Sequence, residues 1–147
     1  MQAHTTAIVL AAGQGKRMQA KVHKQYLLIE DKPVLYYSLR AMEDSFMEDI
    51  VLVVGKGEEE YCRQEIIEKY HFTKVRAVVE GGKERYHSVA IGLHAISWLC
   101  DYVFIHDGAR PFINNEILQR AYDCVTECKA LVPVAIAAPP SAPSVKV

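Results

Sequence analysis

The sequence predicts an α/β protein with a mostly parallel sheet and helices on both faces. Two observations carry this prediction. Short apolar segments alternate along the chain with longer amphipathic or charged segments, and glycines follow several of the apolar segments, as at Gly13, Gly55 and Gly81. Short, continuously apolar segments are typical of strands that are buried on both faces. Their alternation with helical segments indicates βαβ units and therefore parallel strands.

The elements follow in a regular order. Strands are predicted at residues 6–12, 49–54, 75–79, 102–105 and 131–136, and helices at 33–42 and 58–70. The segment 58–70 carries acids in its first turn, where the helix dipole favours them. A third helix carries Val89, Leu93 and Ile96 on one face, and Asn114 is expected to cap a fourth. Residues 1–136 are thus predicted to form one α/β domain, and the proline-rich residues 137–147 an extended or disordered tail.

Composition excludes several classes of protein. A chain of 147 residues is about the size of one domain, and a net charge of −1 does not suit a general nucleic-acid binder. No apolar run reaches the roughly 18 residues of a membrane span. The cysteines lack the spacing of a zinc site, so we interpret them as reduced thiols in a cytoplasmic protein. They are Cys62, Cys100, Cys124 and Cys128.

Charge is distributed unevenly at the start of the chain. No Asp or Glu precedes Glu30, whereas four cations, Lys16, Arg17, Lys21 and Lys24, fall within that stretch. Cations without nearby carboxylates favour an anionic ligand. A small phosphate compound suits a protein that is otherwise nearly neutral.

Ligands of parallel α/β sheets bind beyond the carboxyl ends of the strands, which selects residues 13–24, 81–88 and 106–112. In the first loop Gly13 and Gly15 allow a tight turn with backbone N–H groups facing a phosphate. Met18 stands where a dinucleotide fingerprint has its third glycine, and the P-loop spacing is absent. A bare tight turn explains the glycines equally well. Arg17, as a bidentate fork, and Lys24, as a point charge, favour the phosphate interpretation.

The other two loops also contain polar side chains of interest. The backbone at Gly82 could contact a base edge, while Ser88 is either a ligand contact or a helix cap. Arg85 is either a ligand contact or a surface residue. Asp107 directly follows a buried strand, which suits a Mg²⁺ ligand shared with substrate phosphates, although a turn cap or an ion pair with Arg110 would also explain it. His106 is interpreted as structural.

Together these segments resemble the 2-C-methyl-D-erythritol 4-phosphate cytidylyltransferase family. The resemblance rests on Ala-Ala-Gly-Gln-Gly-Lys-Arg-Met at 11–18, Lys-Gln-Tyr-Leu at 24–27, Gly-Gly-x-x-Arg-x-x-Ser-Val at 81–89 and His-Asp-Gly-Ala-Arg-Pro-Phe at 106–112. The first segment is shared with many sugar nucleotidyltransferases. The Lys-Gln-Tyr-Leu and His-Asp-Gly-Ala-Arg-Pro-Phe segments are much more specific.

The resemblance implies a Rossmann-like nucleotidyltransferase fold and a reaction of CTP with 2-C-methyl-D-erythritol 4-phosphate, in isoprenoid precursor biosynthesis. It makes Arg17 and Lys24 the catalytic cations and Asp107 the ligand of the cofactor Mg²⁺. The nucleotide-binding residues implied by the resemblance are Ala11, Ala12, Gly13, Gly15, Gly82, Arg85, Ser88, Ala109 and Arg110.

The end of the chain differs from that family. Its members continue for roughly half this length again, and they use that region to hold the acceptor and to form a homodimer. The sequence is therefore interpreted as a truncated or divergent member with a weakened or lost dimer contact. Ribitol-5-phosphate cytidylyltransferase is a second hypothesis, which Ala109 and Tyr26 disfavour. A truncated, inactive CTP-binding module is a third.

Overall fold

The computed structural model describes residues 3–13 and 24–128, without the side chains of Lys24 and Cys128. In chain order the elements are β1 (Thr5–Ala11), a 3₁₀ turn (Lys24–Tyr26), β2 (Leu28–Ile29), β3 (Lys32–Pro33), α1 (Val34–Glu43), β4 (Asp49–Val54), α2 (Glu59–Cys62), a π-helix (Arg63–Glu68), β5 (Val75–Glu80), α3 (Arg85–His94), β6 (Tyr102–Asp107) and α4 (Asn115–Cys128). This is the predicted α/β architecture.

Four parallel strands form the main sheet of the described residues, in the order β5-β4-β1-β6. Numbered among themselves, these strands run 3-2-1-4, which is the first part of the Rossmann order. The order reverses between β1 and β6, where Leu10 lies opposite Asp107. A crevice opens beyond the carboxyl ends of the strands at such a switch point. The topology therefore predicts a ligand site at this point.

Both faces of the sheet are covered, and alternate residues of each strand enter different cores. Ala7 and Val9 of β1 belong to the larger core, which also contains residues of α1, α2, the π-helix and α4. Ile8 and Leu10 belong to the smaller core under α3. Helices on both faces and the apolar run of β1 thus agree with the prediction of a strand buried on both sides.

Helix α3 approaches the sheet closely because Gly92 has no side chain. A Cβ at this position would lie 2.9 Å from Cγ2 of Ile8 and 3.2 Å from Cγ2 of Val53. Such distances leave no room for a methyl group unless the core moves. Gly92 therefore fixes α3 against β1 and β4, and with it the loop that precedes α3.

Several predicted elements need correction. The single helix expected at 58–70 is a short α2 followed by a π-helix, because the i→i+5 bonds of Arg63–Glu68 cannot be recognised from hydrophobic periodicity. Helix α3 ends at His94, so Ile96 lies outside it, and Leu93 is 44% exposed rather than buried. The hairpin of β2 and β3 was not predicted.

The last strand and the last helix of the described residues lie close to where the sequence predicts them. Strand β6 continues two residues beyond the expected end, since it pairs with β1 through to Asp107. Asn114 caps α4 as expected: its Oδ1 accepts a hydrogen bond from the N–H of Ile117 at 2.9 Å. The predicted strand at 131–136 and tail at 137–147, and hence the domain boundary at 136, lie outside the described residues.

Among the helices of residues 3–13 and 24–128, none has the length and apolar character needed to span a bilayer.

Candidate nucleotide site

A pocket of about 340 Å³ lies at the switch point, between the ends of β1 and β6 and the start of α3. It is lined by Leu10, Ala12, Gly13, Gln25, Gly82, Lys83, Glu84, Arg85, Ser88, Asp107, Ala109 and Arg110. Three segments that are distant in sequence therefore meet at one edge of the sheet. These are the described parts of the three loops on which the sequence analysis centred.

A buried glutamine, Gln25, forms hydrogen bonds with the main chain at the end of β1. Gln25 is 3% exposed, and its Nε2 donates to the carbonyl oxygens of Ala11 at 2.7 Å and Gly13 at 3.1 Å. These bonds tie the 3₁₀ turn to the first loop. Gln25 thus shapes the described part of the glycine loop.

The loop before α3 is packed too tightly for any residue with a side chain at its glycines. A Cβ on Gly81 would lie 2.5 Å from both Cβ of Ala12 and Oγ of Ser88, and one on Gly82 would lie 2.4 Å from Cβ of His87. The N–H of Gly82 donates to Oγ of Ser88 at 3.2 Å. Ser88 is buried in α3 and does not cap the helix; the chain enters α3 through Glu84.

A carboxylate and two guanidinium groups line the opposite wall. Asp107 lies 3.4 Å from Nε of Arg85 and 3.5 Å from Nε of Arg110. The three side chains are 36–55% exposed, so these ion pairs add little to stability. Their effect is to hold two bidentate donors and one acceptor at the pocket, which suits a phosphorylated ligand.

Two buried side chains form hydrogen bonds with the carbonyl groups of the loop that carries Arg110. Oγ of Ser38 donates to the carbonyl oxygens of Gly108 and Arg110, each at 3.0 Å. Nε2 of His106 lies 2.8 Å from the same Arg110 oxygen, and since a carbonyl only accepts, this nitrogen carries the proton. Burial lowers the pKa of His106, so the ring is neutral at pH 7. His106 is therefore a structural donor, as the sequence analysis suggested.

Asp107 can contribute one ligand to a metal ion. Within residues 3–13 and 24–128, no group of three or more His, Cys, Asp or Glu is arranged to hold one. Mg²⁺ commonly takes one or two carboxylates and completes its shell with substrate phosphates and water. The carboxylate of Asp107, beside the guanidinium groups of Arg85 and Arg110, fits that mode and does not fit an all-protein site.

The structure brings most of the predicted site residues together. Those that line the pocket are Ala12, Gly13, Gly82, Arg85, Ser88, Asp107, Ala109 and Arg110. Ala11 is not among them: it is buried at the end of β1 and contributes only its carbonyl, to Gln25. Lys24 begins the 3₁₀ turn next to the pocket residue Gln25. Gly15 and Arg17 lie outside the described residues.

Sequence reasoning missed four residues that shape the pocket. Lys83 and Glu84 line it, and their position between Gly82 and Arg85 was the available signal. Gln25 was part of the Lys-Gln-Tyr-Leu segment but had no role assigned. Ser38 had no local signal, because its partners are 70 and 72 residues away in the chain.

Comparison with known proteins agrees with this geometry. The family model described as 2-C-methyl-D-erythritol 4-phosphate cytidylyltransferase matches residues 5–140. The chain belongs to this family. The match includes the first loop, the loop before α3 and the segment after β6.

Individual members of the family are similar over the same region. The cytidylyltransferases of Lachnoclostridium phytofermentans and Alkaliphilus metalliredigens are 56% and 48% identical, each over 86% of this chain. The solved 4-diphosphocytidyl-2C-methyl-D-erythritol synthase of Anaerococcus prevotii superposes with a TM-score of 0.71 at 28% identity, over 84% of this chain and 51% of its own. This chain covers 54% and 53% of the two curated relatives, so it spans about half their length.

Proposed function

We propose that the protein is a cytidylyltransferase, which joins the CMP group of CTP to 2-C-methyl-D-erythritol 4-phosphate and releases pyrophosphate. The observation that carries this proposal is the pocket at the switch point, where glycine backbone, two guanidinium groups and one carboxylate converge. Membership of the family supports the choice of CTP and of the acceptor. The product would be 4-diphosphocytidyl-2-C-methyl-D-erythritol.

The reaction requires little from the protein beyond positioning of the substrates and neutralisation of their charge. An oxygen of the acceptor phosphate attacks the α-phosphorus of CTP, a new P–O bond forms, and the bond to pyrophosphate breaks. The attacking oxygen is already anionic, so no general base is needed. The histidines beside the pocket are already hydrogen-bonded, which is compatible with this requirement: Nε2 of His106 donates to the carbonyl of Arg110, and Nδ1 of His87 accepts from the N–H of Glu84. Catalysis then depends on orientation and on neutralising the charge of the transition state.

The proposed roles follow the position in the pocket for the described residues and the family resemblance for Gly15, Arg17 and Lys24. The backbone of Ala12, Gly13 and Gly82 would hold the nucleotide, with Ser88 supporting Gly82, and the resemblance adds Ala11 and Gly15 to this set. Arg85, Ala109 and Arg110 would border its phosphates or ribose. Asp107 would hold Mg²⁺, which supplies charge neutralisation on the triphosphate when bound. Arg17 and Lys24 would be the cations at the reacting phosphorus.

We also propose a cytoplasmic location. Cys62 and Cys100 are not in disulfide bonds in the structure, which suits a reducing compartment. The homodimer that the resemblance implies stays a prediction, and so does its weakening.

Replacing Lys24 tests the proposed chemistry. In Lys24→Ala we expect pyrophosphate release from CTP and the acceptor to fall by about 10²–10³-fold, since a lost transition-state contact acts on kcat. Circular dichroism should show an unchanged fold. Lys69→Ala is the matched control, because Lys69 lies over the ring of Tyr70 and does not line the pocket. Turnover in Lys24→Ala equal to that of the unsubstituted chain would remove Lys24 from its proposed role.

A further inference from the structure

A hydrogen-bonded group of three side chains adjoins the turn that carries Lys24. The hydroxyl of Tyr26, the last residue of the turn, donates to Oε2 of Glu58 at 2.5 Å. The same hydroxyl lies 3.1 Å from Sγ of Cys62, at the end of α2. The ring of Tyr26 also packs edge-on against that of Tyr61, with centroids 5.4 Å apart. The turn is thus joined to the segment that follows β4.

Burial determines which side chains of this group carry protons and therefore which of them donate. It raises the pKa of Cys62 to about 11 and raises that of Tyr26 above its ordinary value, so both remain protonated at pH 7. The carboxylate of Glu58 can accept only. The thiol therefore donates to the Tyr26 oxygen, and the phenol donates to Glu58.

Glu58 is itself held firmly at the carboxyl edge of the sheet. Its N–H donates to the carbonyl of Gly55 at 3.0 Å, and a Cβ on Gly55 would lie only 2.8 Å from Oε1 of Glu58. The N–H of Gly57 donates to Oε1 of Glu80, at the end of β5, at 3.0 Å. Glu58 is therefore an acceptor whose place is set by β4 and β5.

We propose that Glu58 is a positioning residue, which fixes the turn of Lys24 and Gln25 through the hydroxyl of Tyr26. Gln25 attaches this turn to the end of β1, and Tyr26 attaches it to the loop after β4. One anchor at the end of β1 and one in the loop after β4 define where the turn lies relative to the sheet. This inference rests on the proposed function, because it assigns Glu58 to the placement of Lys24 during cytidylyl transfer.

Substitutions of Glu58 and Tyr26 distinguish a positioning role from a general effect on the stability of the fold. Glu58→Ala removes the acceptor, and we expect kcat to fall about tenfold while KM for CTP changes less than about twofold, since misplacing a transition-state contact costs kcat. Glu58→Gln keeps an oxygen acceptor and should restore kcat to within about threefold of the unsubstituted chain. Tyr26→Phe should match Glu58→Ala. The double variant should be no slower than the slower single variant, because both remove one hydrogen bond.

Tyr37→Phe is the matched control. It removes a hydroxyl that donates to the carbonyl of Ile29 at 2.6 Å, on the hairpin rather than on the turn, and kcat should not change. Unchanged kcat in Glu58→Ala, or equal loss in Glu58→Gln and Glu58→Ala, would overturn the proposal.

Hydrogen–deuterium exchange separates this proposal from the proposed function. If the unsubstituted chain releases no pyrophosphate, the proposed function fails, and exchange still tests the anchor. The backbone amides of Lys24–Tyr26 should exchange faster in Glu58→Ala and at the original rate in Glu58→Gln. Equal exchange in all variants would overturn the positioning role of Glu58.

Discussion

At the scale of single residues, the pocket depends on buried polar side chains that need not touch a ligand. Gln25, Ser38 and His106 each donate to main-chain carbonyls of the loops that line it. A buried donor that loses its acceptor costs about 1–3 kcal/mol, so these bonds strongly favour one loop geometry. The carbonyl of Arg110 accepts from two of them, Ser38 and His106, and these two bonds fix the loop after β6.

Burial of His106 makes stability depend on pH. Its folded pKa lies below the value of 6.5 for an exposed ring, so the unfolded chain binds more protons below that pH. The free energy of unfolding should therefore fall as pH decreases through 6.5, by at most about 1.4 kcal/mol per pH unit from this group. His106→Gln keeps an N–H donor without a titrating ring, so its urea-unfolding free energy should depend less on pH. Equal pH slopes for the two proteins would contradict this prediction.

The sequence predicted the positions of most pocket residues but not the bonds among them. Gly82, Asp107 and Arg110 were found because glycines and charges that follow apolar strands are local signals. The role of Ser38 could not be found in the same way. Its function depends on carbonyls that only the folded chain brings to it.

At the scale of elements, pairing and packing corrected the boundaries that periodicity predicted. Strand β6 runs through His106 and Asp107 because β1 offers main-chain partners that far. This places Asp107 on a strand, where its backbone is fixed, rather than in a loop. The π-helix could not be predicted from the sequence, since an i→i+5 hydrogen-bond ladder has no signature in the hydrophobic pattern.

The contact of α1 with the segment after the π-helix relies on Arg40. Its Nη2 donates to the carbonyl of Tyr70 at 2.7 Å, and its guanidinium lies 4.5 Å from the ring centre of Phe72. Arg40→Ala should lower the free energy of unfolding by about 1.5–3 kcal/mol, since both contacts are lost. Arg120→Ala is the control: its 4.0 Å pair with Glu116 is exposed, and the change should stay below about 0.5 kcal/mol. Urea unfolding that gave equal losses for the two variants would refute the role of Arg40.

At the scale of the whole molecule, the strand order explains where the pocket lies. The order β5-β4-β1-β6 puts a switch point between β1 and β6, and the pocket lies there. The fold class could be predicted because the strands of the main sheet are mostly apolar and helical segments separate them along the chain. Which strands are neighbours could not, since burial on both faces makes their sequences alike.

Release of pyrophosphate by the purified chain tests the central claim most directly. The reaction contains CTP and Mg²⁺ with either 2-C-methyl-D-erythritol 4-phosphate or ribitol 5-phosphate as the acceptor. We expect release with the methylerythritol acceptor alone. Release with ribitol 5-phosphate alone, or with neither acceptor while calorimetry still detects Mg²⁺-dependent CTP binding, would contradict the proposed reaction.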